Sequence, residues 1–306
     1  LFIYNPKEDE LQHFSAADKD PLFHSDFLLN IFIDRSGCIW ICTGDGVYCC
    51  RELKDLYTEH VKIEPNTNRE WSNYVRHISN IGNDKLAVST RANRTYIYDA
   101  RTQQRTLEME TDACVYDYAI DPQGKKWIST KGDGIYIDNV RYSKYKKEHY
   151  APGAAFYKTI FDKQGRAWIA TWGEGLLITP QTTGQQPRKF EQFLNADGKE
   201  AQIHDLLLDR KGRLWVCSNN GILMVNTAEK KITAQKFLRF SDENGKLPVS
   251  EINCGIEAHD GKLWFAATEG VLKCSYDEKT RELEYELFDT SKGLTDNNTR
   301  SLEEDN

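Results

Sequence analysis

The residues of this chain that could carry chemistry lie in short turns between apolar runs. In AWIATWGEGLLI, residues 167–178, one apolar run reaches the turn TWGEG and a second follows at once. This turn brings together an indole, Trp172, and a carboxylate, Glu174. An aromatic face can cover the C–H patches of a sugar ring, and a carboxylate can bond its hydroxyl groups. The alternative for Trp172 is packing against a neighbouring part of the molecule.

Catalytic and metal chemistry have little support in the sequence. The eight cysteines form no Cys-x-x-Cys pair, so zinc and thioredoxin-type sites are not indicated, and an even count permits disulfides without showing them. No Gly-x-Ser-x-Gly nucleophile motif occurs. Asp117, Asp205, Asn253 and Glu257 could offer oxygens to calcium, but no spacing compels that arrangement. We therefore predict a non-catalytic chain with no cofactor and no metal.

The turns belong to a repeat. Its pattern is apolar-Asp-x-x-Gly-x-apolar-Trp-apolar-small-Thr-x-x-Gly-apolar, and the Trp position falls at Trp40, Ala87, Trp127, Trp168, Trp215 and Trp264. Asp-x-x-Gly is turn chemistry, since Asp can accept from the backbone two residues on and Gly tolerates positive φ. Short apolar runs between such turns are typical of strands joined by hairpins. Each copy therefore predicts a unit of about four strands.

A four-stranded unit repeated at this period is typical of a β-propeller blade. We number the predicted blades 1 to 6, and they fall near residues 24–66, 70–110, 112–150, 154–195, 201–245 and 250–290. The ends, 1–15 and 298–306, resemble an outer and an inner strand and predict a partial blade. The predicted fold class is all-β, a single seven-bladed β-propeller domain over 1–306. Six blades would be complete and the closing blade incomplete, in a fragment of a longer chain.

The motif also resembles the repeat of the two-component regulator propellers, roughly D-x-x-G-x-[IL]-W-[IV]-G-T-x-x-G-[LI], over residues 24 to about 290. Ala87 replaces the Trp in blade 2, and Cys, Ser or Ala replaces the family's first Gly after Trp. The resemblance implies the periplasmic sensor region of a hybrid two-component regulator, a membrane protein with a histidine kinase. It implies three kinds of partner: an oligosaccharide or glycan fragment, a neighbouring propeller and downstream domains of the same chain, and a second copy in a homodimer. The alternative is a propeller enzyme of lactonase, lyase or glycosidase type, with its site in the central channel.

The net charge and the hydropathy of the chain exclude some classes of partner. The formal net charge is −7, which argues against nucleic acid, because phosphate binding needs a basic face. No run of 18 consecutive apolar residues occurs, so the sequence predicts no transmembrane helix within this chain. The chain is therefore expected to meet a saccharide or a protein.

Candidate ligand-binding residues follow from blade geometry. In a propeller, the Thr-x-x-Gly turns and the starts of the inner strands share one face, opposite the Asp-x-x-Gly turns. The turns contribute Arg91, Arg94, Lys131, Asp133, Trp172, Glu174, Asn219 and Asn220. The inner strands contribute Tyr116, Tyr157 and His204. The alternative for Arg91 and Arg94 is a surface salt bridge, and that for His204 is a satisfied strand histidine.

Overall fold

The computed structural model describes residues 1–5, 10–19, 21, 24–33, 38–50, 58–67, 71–142, 155–173, 175–179, 191–193 and 202–304. This part of the chain is all-β apart from two short 3-10 turns, Ala234–Lys236 and Thr290–Lys292. None of its helices is both long enough and apolar enough to cross a bilayer. The all-β prediction is confirmed.

Each predicted blade is a four-stranded antiparallel sheet whose strands pair in chain order. An N-terminal two-stranded sheet precedes them, formed by β1 (Phe2–Asn5) and β2 (Glu10–His13). Blades 1 to 3 comprise β3 (Leu28–Ile33), β4 (Ile39–Thr43), β5 (Gly46–Cys50), β6 (Thr58–Val61); β7 (Val75–Gly82), β8 (Lys85–Thr90), β9 (Arg94–Asp99), β10 (Arg105–Glu110); and β11 (Val115–Ile120), β12 (Lys126–Thr130), β13 (Ile135–Ile137), β14 (Val140–Tyr142). Blades 4 to 6 comprise β15 (Ala155–Phe161), β16 (Ala167–Trp172), β17 (Leu176–Ile178), β18 (Glu191–Phe193); β19 (Ile203–Leu208), β20 (Arg213–Ser218), β21 (Gly221–Asn226), β22 (Leu238–Phe240); and β23 (Ile252–Glu257), β24 (Leu263–Ala267), β25 (Gly270–Asp277), β26 (Glu282–Phe288).

The seventh, closing blade stays a prediction. The inner strand expected near the C-terminus does not form among the described residues 298–304. There the chain is irregular and is held by a few separate bonds instead of a ladder, one of them from the backbone N–H of Thr299 to the carbonyl of Ala267 over 3.0 Å. Thr299 Oγ1 donates to the carbonyl of Gly270 over 2.8 Å, and Asn253 Nδ2 donates to the carbonyl of Thr299 over 2.6 Å.

The Asp-x-x-Gly turn is a structural device, as its repetition predicts. Asp162 Oδ1 accepts from the backbone N–H groups of Gln164 and Arg166, both over 3.0 Å. Its Oδ2 accepts from Trp168 Nε1 over 2.8 Å and from Arg166 Nε over 2.6 Å. The carboxylate therefore closes the turn and satisfies the indole N–H of a Trp that is fully buried. Asp121 and Asp209 bond their blade Trp in the same way, while Asp34 lies outside the described residues.

The core lies between neighbouring sheets within each of two compact units. The first unit is Leu1–Val115 with Asp289–Asp296 and Glu303–Asn306, and the second is Tyr116–Phe288 with Asn297–Leu302. In the second unit Trp215 of blade 5 packs with Phe265 of blade 6, and Trp168 of blade 4 packs with Ile203 of blade 5. The residue two positions after the blade Trp, in the same strand, is fully buried. This burial explains why only Cys, Ser or Ala stands there.

The cysteines belong to this packing. The seven whose side chains are described are free thiols. Burial raises the pKa of Cys42 and Cys217, which occupy the small position. Such thiols carry little thiolate at neutral pH and act as small apolar residues.

Candidate ligand-binding site

Five inner strands, β3, β7, β15, β19 and β23, carry a β-bulge near their start, which displaces one side chain from the ladder. In β15 the pairing passes from Phe156 opposite Thr171 to Lys158 opposite Ala170, so the register skips Tyr157. In β19 the same shift leaves out His204. The register shifts in the same way in β3, β7 and β23, where it skips Leu29, Arg76 and Asn253. A bulge bends its strand and re-aims the extra residue, and bulges are frequent next to functional sites.

Two bulge residues meet Trp172 to form what we call the Trp172 platform, consisting of Tyr116, Tyr157, Trp172 and His204. The rings of Tyr157 and Trp172 are stacked, with centroids 5.6 Å apart and an interplanar angle of 23°. Tyr116 lies 4.7 Å from Tyr157, and His204 lies 5.4 Å from Trp172. The platform therefore runs across the inner strands of blades 3, 4 and 5, all within the second unit.

The turn chemistry explains why Trp172 lies where it does. Thr171 is buried and its Oγ1 donates to the carbonyl of Gly175 over 2.6 Å, which closes the hairpin. Trp172 is the last residue of β16, pairs with Ala155, and forms a bridge with Gln202 at the start of blade 5. The packing alternative for this residue is observed, since the indole contacts Tyr157 of blade 4 and His204 of blade 5, while 41% of its surface stays exposed.

His204 supplies a polar edge to the platform. Its side chain is only 9% exposed, and Nε2 has no hydrogen-bond partner. The nearest carboxylate oxygen, Glu251 Oε1, is 3.6 Å away, which is too long for a hydrogen bond. Burial lowers the pKa of His204 and Arg300 lowers it further, while Glu251 and Asp205 act in the opposite direction. A neutral imidazole with a free nitrogen can donate to or accept from a hydroxyl group.

Next to the bulge residues lies a layer of buried charge. Lys158 Nζ contacts Asp205 Oδ1 at 2.5 Å, and Asp205 Oδ2 accepts from the backbone N–H of Gly255 over 3.1 Å. Asp117 Oδ2 accepts from the backbone N–H of Thr159 over 2.7 Å, and burial raises the pKa of Asp117 to about 7. These carboxylates thus link neighbouring inner strands of the second unit.

Three of the four residues considered above as calcium ligands, Asp117, Asp205 and Glu257, have their carboxylates engaged within the protein. Besides Asp117 and Asp205, Glu257 accepts from the backbone N–H of Arg210 over 2.7 Å and pairs with its guanidinium at 3.1 Å. Asn253 is committed through its amide nitrogen to Thr299. Over the described residues, no cluster of His, Cys, Asp and Glu is arranged to hold a metal ion.

Other predicted site residues of the second unit lie in the hairpins of their own blades. Lys131 is exposed and bridges to Ala155, and Asn219 Oδ1 accepts from the backbone N–H of Gln202 over 3.0 Å. Asn220 is half-buried, and its backbone N–H bonds Ser218 Oγ over 3.2 Å. Asp133 is buried and accepts from the hydroxyl of Tyr136. Glu174 lies outside the described residues.

The two arginines predicted as site residues, Arg91 and Arg94, lie in the first unit and have different environments. Arg94 pairs with Glu64 at 3.1 Å and with Glu110 at 3.4 Å, which is the salt-bridge alternative for this residue. Arg91 is exposed, and its guanidinium carbon lies 4.4 Å from the ring centroid of Trp71. Sequence reasoning missed Trp71 because it stands in a connection between blades, outside the repeat motif.

Comparison with known proteins identifies the repeat. Residues 197–220 match the family model described as two component regulator propeller. This stretch includes β19 with His204, the Asp209 turn and β20 with Trp215. This stretch is similar to a two component regulator propeller repeat. The regulator repeat thus supplies one of the residues of the Trp172 platform.

Solved structures that resemble the chain are propellers of several kinds, and they support the β-propeller fold. The extracellular domain of a hybrid two component system from B. thetaiotaomicron gives a TM-score of 0.69 at 16% identity, covering 92% of this chain and 38% of that chain. PorZ, a surface component of the type-IX secretion system of Porphyromonas gingivalis, gives 0.58 at 16% identity, covering 82% of this chain and 38% of its own. Virginiamycin B lyase from Staphylococcus aureus gives a TM-score of 0.62 at 12% identity, covering 86% of this chain and 84% of that chain. Among the curated proteins, no sequence matches this chain.

Proposed function

We propose that this chain is a non-catalytic sensor propeller of a two-component regulator, and that the Trp172 platform binds an oligosaccharide released from a glycan. The observation that carries the proposal is the Trp172 indole, which is stacked on Tyr157 and still 41% exposed. Beside it lies His204, with a buried and unpartnered Nε2.

A sugar suits the chemistry of this platform. Its rings offer flat apolar area to the C–H face of a pyranose, while His204 and the nearby Glu251 offer polar atoms to its hydroxyl groups. The three aromatic rings follow one another across blades 3 and 4, so they favour an extended chain of sugars over a single monosaccharide. The net charge of −7 agrees with an uncharged ligand here.

The regulator role rests on the repeat and on the likeness to an extracellular domain. We place the chain outside the cytoplasm, in the periplasm, as part of an inner-membrane protein. The chain spans 38% of the length of that extracellular domain. A neighbouring propeller, downstream domains and a homodimer are therefore part of the proposal.

A propeller enzyme is the second candidate, since virginiamycin B lyase shares the fold. The buried carboxylates next to the platform are committed to Lys158, Gly255 and Thr159, which leaves them poorly placed to act on a substrate. The test of function therefore includes an assay for turnover.

The deciding experiment is isothermal titration calorimetry of the 306-residue chain with tetra- to hexasaccharides of cellulose, xylan, mannan and β-1,4-galactan. Trp172→Ala is compared with Tyr285→Ala, which removes an aromatic that is 46% exposed on the outer strand β26. Saturable binding lost only in Trp172→Ala, with the saccharide recovered intact, is the expected result. No binding by the folded chain, or equal binding by both variants, would contradict the site. Cleaved or eliminated product would establish the enzyme instead.

A further inference from the structure

The first unit carries an aromatic group of its own, which we call the Arg91 platform: Phe27, Trp71, Tyr74 and Arg91. Tyr74 lies 5.5 Å from Trp71 and 5.7 Å from Phe27, measured between ring centroids. The guanidinium carbon of Arg91 lies 4.4 Å from the Trp71 centroid and 5.2 Å from that of Tyr74. Phe27 is 57% exposed and Trp71 is 43% exposed. We propose that the Arg91 platform binds a saccharide that carries an anionic group, with Arg91 holding the anion.

The cation of this platform is available to a ligand. Within the described residues, Arg91 has no ion pair and no side-chain hydrogen bond, whereas Arg94, three residues later, is paired with Glu64 and Glu110. The backbone N–H of Arg91 donates to the carbonyl of Tyr74 over 2.9 Å, which fixes the base of the side chain. The chain as a whole is acidic, so an anion needs a local cation of this kind to bind.

Stacking on the rings prepares Arg91 for this role. A guanidinium on an aromatic face keeps its N–H donors at its edge, where they can meet a carboxylate or sulfate in a bidentate pair. Because the side chain is already held by Trp71 and Tyr74, less conformational entropy is lost when the anion binds. The same rings leave apolar area beside the cation for the body of the sugar.

Two backbone features keep the platform open. Trp71 has φ of 67°, a left-handed conformation that is costly for a bulky residue and that clusters at binding sites. Gly44 stands at the repeat position that Trp172 occupies in blade 4. A Cβ at Gly44 would lie 3.6 Å from both the Phe27 and the Tyr74 rings, so any larger side chain would fill the space beside them.

The two platforms thus differ in the charge they accept. The Arg91 platform holds a cation against Trp71 and Tyr74, whereas the Trp172 platform contains rings and a neutral imidazole. This inference takes the saccharide class from the proposed function, but it concerns different residues in a different unit. Failure of one proposal therefore leaves the other standing.

The test compares saccharides that differ only in charge. Tetragalacturonate is titrated against its methyl ester, and a κ-carrageenan tetrasaccharide against its desulfated form, by calorimetry on the 306-residue chain. Arg91→Gln is matched with Arg94→Gln, which removes the same charge from a paired arginine, and with Trp172→Ala. Arg91→Lys keeps the charge and loses the planar fork.

We expect one of the charged probes to bind and its uncharged form to bind roughly ten- to hundred-fold more weakly, as loss of a charge-assisted hydrogen bond implies. Arg91→Gln should reproduce that loss, Arg91→Lys should show part of it, and Arg94→Gln and Trp172→Ala should leave charged-probe binding unchanged. The proposal is overturned if neither charged probe binds, if charge makes no difference, or if Arg91→Gln binds like the wild type. Dissociation of an oligomer in Arg91→Gln, without saccharide binding, would make the platform a protein interface. Loss of charged-probe binding in Arg91→Gln with neutral-saccharide binding intact in Trp172→Ala would refute only the Trp172 site.

Discussion

Replacement of Trp172 by alanine should weaken binding of a neutral oligosaccharide about 60-fold. The indole leaves 41% of its surface exposed, which is about 100 Å² of a side chain that can bury up to about 250 Å². Covering that area at about 25 cal/mol per Å² contributes about 2.5 kcal/mol. Since about 1.4 kcal/mol is a factor of ten in Kd, the loss corresponds to roughly 60-fold.

The assay is calorimetric titration with the tightest-binding neutral saccharide of the panel. Trp172→Phe should retain part of the affinity, because a smaller ring still stacks. Tyr285→Ala removes a comparable exposed area from β26 and should leave Kd unchanged. Loss of the stack on Tyr157 costs about 0.5–1.5 kcal/mol of stability in addition to the buried area of the indole, so near-UV circular dichroism must show that Trp172→Ala is folded before its Kd is compared.

The reasoning fails on either of two results. A decrease below three-fold in Trp172→Ala would mean that the exposed indole is not covered by the saccharide. An equal decrease in Tyr285→Ala would mean that binding follows exposed aromatic area in general and that the platform has no special role.

Three further predictions concern the scaffold and are checked by urea denaturation. Asp162→Ala leaves a buried indole N–H without its acceptor and removes the ion pair of Arg166, which keeps only its bonds to Gln164 and Thr227; it should cost about 3–5 kcal/mol. Asp121→Ala, whose turn has the indole bond without an arginine contact, should cost about 1–3 kcal/mol, and equal losses would contradict the role of the arginine. Burial raises the pKa of Asp117 to about 7 from 3.8, so below pH 7 the folded chain keeps a proton that the unfolded chain loses, and the stability that Asp117 contributes should fall as pH rises from 4 to 7. Asp117→Asn should lack this component, and parallel pH profiles for the two proteins would refute the raised pKa. Gly255→Ala places a Cβ 2.7 Å from the Phe265 ring and should cost about 1–3 kcal/mol, whereas an unchanged midpoint would mean that the ring moves freely aside.

The blades could be predicted from the sequence because their determinants are local and repeated. The Asp-x-x-Gly turn, the Trp strand and the Thr-x-x-Gly turn each make their key bonds within a few residues, as Asp162 does with Gln164, Arg166 and Trp168. The prominence of Trp172 was visible for a related reason. The geometry of a tight turn does not require an indole, so a second Trp close to the blade Trp indicated a contact beyond the turn itself.

The rest depended on contacts between distant segments. Arg94 is paired with Glu64, 30 residues earlier, and no local pattern reveals that ion pair. Trp71 stands outside the motif, so its contact with Arg91 appears only once blade 2 has folded. The carboxylate of Asp133 accepts a hydrogen bond from the Tyr136 hydroxyl, because the hairpin turns the carboxylate inward.

The bulges escaped sequence reasoning because a one-residue shift leaves the apolar pattern on either side legible. In β19 the apolar residues Ile203 and Leu206 are both buried, and only the pairing with β20 shows that His204 is extra. The ladder register, which sets the direction of that side chain, is a property of two strands together.

The displaced residue of each inner strand also has an evolutionary meaning. The register of the ladder skips it, so its side chain can be replaced without changing how the residues on either side pair. Five strands of one chain already carry five different residues there: Leu29, Arg76, Tyr157, His204 and Asn253. Single codon changes at these positions can therefore alter the inner-strand side chains one blade at a time, while the inherited architecture stays constant.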